Sequence, residues 1–125
     1  MHCQLRSPDR TFFDADAVMV IAHSPSGEFA VMEGHAPLLA TLDAAPLRIK
    51  ADREEKVFAV SGGVLRVSES GVEILARVAV AAAEIDETTL DAQRAALSAR
   101  EVSESERREA QAFLDVQERV HQRHE

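Results

Sequence analysis

Gly34-His35-Ala36-Pro37-Leu38-Leu39 and, further on, Phe58-Ala59-Val60-Ser61-Gly62-Gly63-Val64-Leu65-Arg66-Val67 are the stretches on which the fold turns. Each joins turn chemistry to β-prone residues. Pro37 lacks an N–H and confines its segment to a loop or sheet edge, while Ser61-Gly62-Gly63 reads as a tight strand turn between two apolar runs. Similar runs lie at Ala17 to Ala22, Val57 to Val60, Val64 to Val67 and Val72 to Ala76, with turn residues at intervals of about ten, the spacing of an all-β sandwich or barrel. Glu69-Ser70-Gly71 between two such runs predicts a β-hairpin with glycine at positive φ. Ser24-Pro25-Ser26-Gly27 predicts another turn, and Pro46, like Pro37, an edge or loop.

The chain then changes character. All five glycines and all four prolines lie at or before Gly71, and the rest of the chain carries helix punctuation instead. Thr88-Thr89-Leu90-Asp91 and Ser103-Glu104-Ser105-Glu106 each place a hydroxyl residue three before an acid, the capping box that satisfies free N–H groups at a helix start. Helices are expected near 89–101 and 104–123. Their apolar stripes are thin: Leu90 and Leu97 a heptad apart in the first, then Ala110, Phe113, Gln117 and Val120 with Leu114 flanking in the second. Helices with so little apolar surface gain little from packing, so the expectation is a hairpin that can leave its docking site. The fold class is α+β: an N-terminal all-β sandwich, residues 1–84, followed by a C-terminal antiparallel two-helix hairpin, residues 88–125.

Composition bounds the function. The chain has 125 residues, 46% hydrophobic and 29% charged, enough for one modest core and an appendage. A net charge of −8 disfavours nucleic acid or an anionic lipid surface as partner, since both demand clustered cations. The run from Ala76 to Ala83 is far shorter than the roughly 20 residues that span a bilayer, so no membrane insertion is expected, and with no apolar run in Met1-His2-Cys3-Gln4-Leu5-Arg6 export is not expected either. Cations are almost all arginine, with lysine only at Lys50 and Lys56; this reflects either interface chemistry or genome composition. The single cysteine, Cys3, rules out an internal disulfide and is expected to fill strand space.

No catalytic constellation emerges. Among five histidines only His121 and His124 have a ligand-like spacing, at a chain end. Ser61-Gly62-Gly63 lacks the Gly-x-Ser-x-Gly context of a nucleophile and no helix follows it to bind phosphate. Glu54-Glu55 and Asp14 with Asp16 read as solvated acids in turns.

The ordered pair of motifs, with Glu33 before the first, Pro46-Leu47-Arg48-Ile49 between them and Val72-Glu73-Ile74-Leu75-Ala76-Arg77 after, resembles the ε subunit of rotary F-type ATP synthases. That resemblance implies a non-catalytic central-stalk subunit, peripheral on the cytoplasmic face of the cell membrane as part of the F1 sector. Its sandwich would bind the γ subunit and the rotor c-ring, coupling proton flow to ATP synthesis. In that family the Gly-Glu turn and the Gly-His-Ala-Pro-Leu-Leu loop meet the ring, so Glu28 and His35 are the implied contacts. The alternative for His35 is a backbone bond that holds its own loop. Glu28-Phe29-Ala30-Val31-Met32-Glu33 departs from the glycine and proline often found there.

Leu90-Asp91-Ala92-Gln93-Arg94-Ala95 resembles the Ile/Leu-Asp-x-x-Arg-Ala segment with which bacterial ε subunits bind a regulatory ATP, and Glu84 stands upstream as in the family. No cofactor is required. The implied nucleotide site is Glu84, Leu90, Asp91, Arg94, Ala95, Arg119 and Arg123, the last two spaced i,i+4 on the second helix. Asp91 and Arg94 at i,i+3 are equally compatible with a local ion pair. Glu101 occupies the place of a further family arginine, with Arg100 beside it. The resemblance also implies that an extended hairpin reaches the catalytic α/β hexamer through Arg94, Arg100, Arg107 and Arg108 and inhibits ATP hydrolysis. The competing class is a stand-alone nucleotide-sensing module.

Overall fold

Ten short strands followed by two helices are seen in the computed structural model, which describes residues 1–99 and 103–124, the side chains of 99, 123 and 124 excepted. The strands are β1 (His2–Arg6), β2 (Thr11–Asp16), β3 (Met19–Ser24), β4 (Gly27–Met32), β5 (Leu38–Leu42), β6 (Ala45–Lys50), β7 (Glu55–Val60), β8 (Gly63–Ser68), β9 (Gly71–Ala76) and β10 (Ala79–Ala81). A 3-10 turn, Ala82–Glu84, leads to α1 (Glu87–Ala99) and α2 (Glu104–His124). The strands make two five-stranded sheets, one in the order β2-β1-β9-β8-β5 and the other β10-β7-β6-β3-β4. This is the expected β-sandwich followed by a helical pair.

Alternation along the strands fills the space between the sheets. Leu65 and Val67 from β8, Val72 and Ile74 from β9, Leu47 and Ile49 from β6 and Phe58 and Val60 from β7 point into one core. Cys3 joins them with no exposed surface, and burial pushes its thiol up to about 12, so it fills space and carries no thiolate chemistry. Fully burying side chains of this size stabilises by about 1.5–3 kcal/mol each.

Glycines shape the links. Ser61-Gly62 is a crossover rather than a hairpin: β7 and β8 lie in different sheets, and beside them β9 and β10 cross in the opposite sense. The two crossings are tied together by Ser61 N–H to Val78 O, Val78 N–H to Ser61 Oγ and Arg77 N–H to Gly62 O, each 3.0 Å. A Cβ on Gly63 would stand 2.1 Å from the Leu75 carbonyl oxygen, so no larger residue fits there. Glu69-Ser70 is the expected hairpin loop, closed by the Ser68–Gly71 pair with Gly71 at φ 128°. Pro25-Ser26 turns β3 into β4, and Ser24 Oγ accepts the Ser26 N–H at 3.2 Å.

Pro46 departs from expectation, since it lies in β6, an interior strand. The β3 ladder on β6 covers only Arg48 to Lys50, so at Pro46 the strand has a neighbour only on the β7 side and the missing N–H interrupts no second ladder. Asp14, Asp16 and Glu55 are also on strands rather than turns. Asp14 pairs with His2 at 2.7 Å and Glu55 with Arg48.

The helices begin where side chains cap them. Ser103 Oγ accepts the Glu106 N–H at 3.2 Å, as its capping box predicts. For α1 the cap is Asp86, two residues earlier than Thr88, with its carboxylate accepting the Thr89 N–H at 2.7 Å. That contact is the main reason the Asp86 carboxyl titrates below its ordinary range. The stripe of α2 is stronger than expected, because Val116 joins Leu114 and Val120 in the interior whereas Ala110 is exposed. These side chains form a second apolar cluster with Ala59 of β7, Ala82, Ile85 and Leu90, so the helical pair covers the outer face of one sheet.

Candidate partner surfaces and hairpin site

Among the described residues, no helix covers the outer face of the other sheet. On it β5, β8 and β9 present Leu39, Val64 and Leu75 at 71%, 43% and 48% exposure. Val64 and Leu75 are directly paired across β8 and β9, and one row along, Arg66 donates to Glu73 at 3.0 Å. Isolated exposed apolar side chains are ordinary, but three on adjacent strands of one face make a patch suited to a partner. Sequence reasoning missed this surface. The available signal was that Val64-Leu65 and Ile74-Leu75-Ala76 are apolar at consecutive positions, so both faces of those strands are apolar and both need covering.

Glu28 and His35, the implied ring contacts, do come together. β4 and β5 are the edge strands on one side of the two sheets, and a cleft of about 310 Å³ between them is lined by Ser24, Gly27, Glu28, Phe29, His35 and Leu38. Both side chains are exposed. Glu28 is 3.6 Å from His23 across the strand pair. His35 is set by its own loop: its N–H donates to Met32 O at 3.1 Å, and Nδ1 lies 2.6 Å from Ala36 O, the backbone bond of the alternative reading. Such a ring still offers its other nitrogen to a partner.

The residues implied in nucleotide binding are only partly gathered. Arg94 of α1 is enclosed by carboxylates, 2.6 Å from Asp91, 3.1 Å from Glu118 of α2 and 3.7 Å from Glu87. Leu90 is buried in the apolar cluster, and Ala95 follows on α1. Glu84 lies elsewhere, lining a cleft of about 250 Å³ with Arg10, Phe12, Lys56 and Phe58. Arg119 is exposed, while its neighbour Glu118 takes the position facing Arg94. Arg100 and the Arg123 side chain lie outside the described residues. Among the arginines assigned to the extended hairpin, Arg107 donates to Leu97 O at 2.8 Å and Arg108 is exposed.

A pair that the sequence did not flag lies beside Arg94. Gln117, fully buried, donates to Gln93 Oε1 at 2.8 Å and accepts from Gln93 Nε2 at 2.9 Å. His121 approaches Glu87 at 3.7 Å. No helix among the described residues is long and apolar enough to cross a membrane.

Comparison with known proteins agrees with this architecture. The chain is 42% identical over 92 residues to the ATP synthase epsilon chain of Synechococcus elongatus, covering 74% of this chain and 65% of that one. It is 40% identical over 90 residues to the ATP synthase epsilon chain of Dichelobacter nodosus, covering 71% and 63%. The match thus spans just under two thirds of these relatives. A chain in the Euglena gracilis mitochondrial ATP synthase structure of OSCP, F1 and c-ring superposes with a TM-score of 0.71 at 22% identity, over 98% of this chain and 80% of that one. One in the central stalk and c-ring of the Tetrahymena thermophila mitochondrial ATP synthase gives 0.71 at 13%, over 96% and 95%, so both establish the fold. Residues 1–82 match the family model of the ATP synthase delta/epsilon chain β-sandwich domain, and the chain belongs to that family.

Proposed function

We propose that this chain is a non-catalytic subunit of the central stalk of a rotary ATP synthase, held at a membrane through its partners. The sandwich, residues 1–84, docks on the γ subunit and the rotor c-ring, and the hairpin, residues 88–125, regulates ATP hydrolysis. The observation that carries this reading is the asymmetry of the two sheets. One outer face is covered by the chain's own helices, whereas the other leaves Leu39, Val64 and Leu75 in water. That bare face suits a large partner such as γ, and the cleft holding Glu28 and His35 suits polar loops of the ring.

Regulation fits the chemistry of the covered face. In its docked form α2 keeps Leu114, Val116 and Val120 from water, and these same side chains become available to the α/β hexamer when the hairpin extends. ATP enters the proposal as a ligand of the docked hairpin at Asp91 and Arg94, where its phosphates compete with Glu118 and Glu87 for the guanidinium. The test is reconstitution with γ. The full chain is expected to co-purify stoichiometrically with γ, and deleting residues 88–125 to raise ATP hydrolysis by the assembled complex while leaving synthesis in place. A chain that does not bind γ is a free nucleotide-sensing module instead. Unchanged hydrolysis would remove the regulatory role.

A further inference from the structure

α2 is held by two different kinds of contact. Leu114, Val116 and Val120 enter the apolar cluster over β7, each 3% exposed or less. Leu90 of α1 lies in the same cluster with Leu97 packed against it, and beside them polar contacts between the helices run in one antiparallel register: His121 to Glu87, Glu118 to Arg94, Gln117 to Gln93, and Arg107 to the Leu97 carbonyl. The innermost of these is the amide pair. Gln117 has no exposed surface, and its Nε2 also lies 3.4 Å from Phe113 O.

We infer that the Gln93–Gln117 amide pair is a register latch that fixes how α1 lies along α2 while keeping the hairpin releasable. The two properties have one cause. A slip of one turn would leave buried amide groups without partners, which is costly, so only one register is allowed. Full separation hydrates every one of those groups, so the bonds resist opening only weakly. Two leucines at these positions would do the reverse, resisting separation and tolerating slippage, as apolar contacts are non-directional. A single buried polar pair setting register at the expense of stability is established in coiled coils. The inference takes the mobile hairpin of the proposed function as its starting point.

Hydrogen exchange of the full chain tests it directly. Gln93→Leu with Gln117→Leu should slow exchange of α1 and α2 amides roughly tenfold or more, with β6 and β7 unchanged. Gln117→Glu should speed it at neutral pH, because a carboxylate cannot donate to Gln93 and is buried as a charge. Below the carboxylate range the introduced carboxyl regains a donor, and exchange should return to that of the parent at the same pH. Helix exchange in the double leucine variant that is unchanged or faster, with the sandwich still protected, overturns the latch. So does a Gln117→Glu effect that ignores pH. Hydrolysis by the assembled complex is a separate readout: slower opening with unchanged hydrolysis keeps the latch and overturns the regulatory role.

Discussion

Val64 and Leu75 face each other across β8 and β9 on the outer surface of the sandwich, 43% and 48% exposed, directly behind a fully packed core. Their inward neighbours Leu65 and Ile74 are buried and form the adjoining pair of the same ladder. The core is therefore complete without them, and their apolar surface is available for a partner.

Leu75→Glu should then separate binding from folding. An exposed position away from the core tolerates substitution within about 0.5 kcal/mol of stability, whereas a carboxylate in a desolvated contact costs about 2 kcal/mol or more of affinity. The expected outcome is an unchanged thermal midpoint with loss of co-purification with γ, checked by calorimetry and pull-down. Retained binding would move the partner surface elsewhere.

Gly63→Ala should fail in the opposite way. The added Cβ would meet Leu75 O at 2.1 Å and Ala76 Cα at 2.9 Å, backbone atoms that cannot move without opening the β8–β9 ladder. The expected loss is on the order of 2–4 kcal/mol. Gly34→Ala, with nothing within 4 Å of its added Cβ, is the comparison, straining only its own φ of 85°. Equal denaturation midpoints for the two variants would refute the crowding argument.

The sequence carried the sandwich because its signals are local: β-prone runs, a two-residue hairpin at Glu69-Ser70 and glycines at the crossings. What it hid depends on tertiary placement. Pro46 is harmless in an interior strand only because the β3 ladder stops at Arg48. Val116 became a core residue because α2 sits on a sheet rather than packing on α1 alone, which widens the buried stripe beyond the one face that periodicity picks out. Asp86 outcompeted Thr88 as the cap, and a capping box cannot be placed to the residue when several acceptors are adjacent. In the hairpin site, the helical phase that turned Glu118 toward Arg94 and left Arg119 in solvent could be read only once the partner face of α2 was known.

Asp86 predicts how the start of α1 responds to acid. Its carboxyl titrates below the ordinary value, chiefly because it accepts the Thr89 N–H. The unfolded chain binds that proton at higher pH than the folded one, so the cap stabilises α1 above about pH 4 and its contribution is lost as pH falls through the lowered value. Asp86→Asn keeps an acceptor for Thr89 but has nothing to titrate. Exchange of the Thr89 and Leu90 amides, followed across this range, should accelerate in acid for the parent relative to the variant. Parallel profiles would assign the acid response to other groups.

Arg94 and Glu118 decide whether ATP is a ligand of the docked hairpin. With Asp91, Glu118 and Glu87 all within 3.7 Å of its guanidinium, Arg94 sits in an acidic surround that opposes a triphosphate, and bound phosphate oxygens must replace at least one carboxylate. Arg94→Ala should weaken ATP binding by about 1.5–3 kcal/mol through loss of a charge-assisted contact. Glu118→Gln should strengthen it, by something on the order of 1 kcal/mol, because the competing carboxylate is removed from a half-exposed pair. The two substitutions pull in opposite directions, so a nonspecific effect on helix stability cannot mimic both. Isothermal titration of the full chain with ATP measures them. If the parent and Glu118→Gln both fail to bind at millimolar ATP, Arg94 is a structural cross-link of the hairpin, and release of α2 depends on contacts with other subunits rather than on nucleotide.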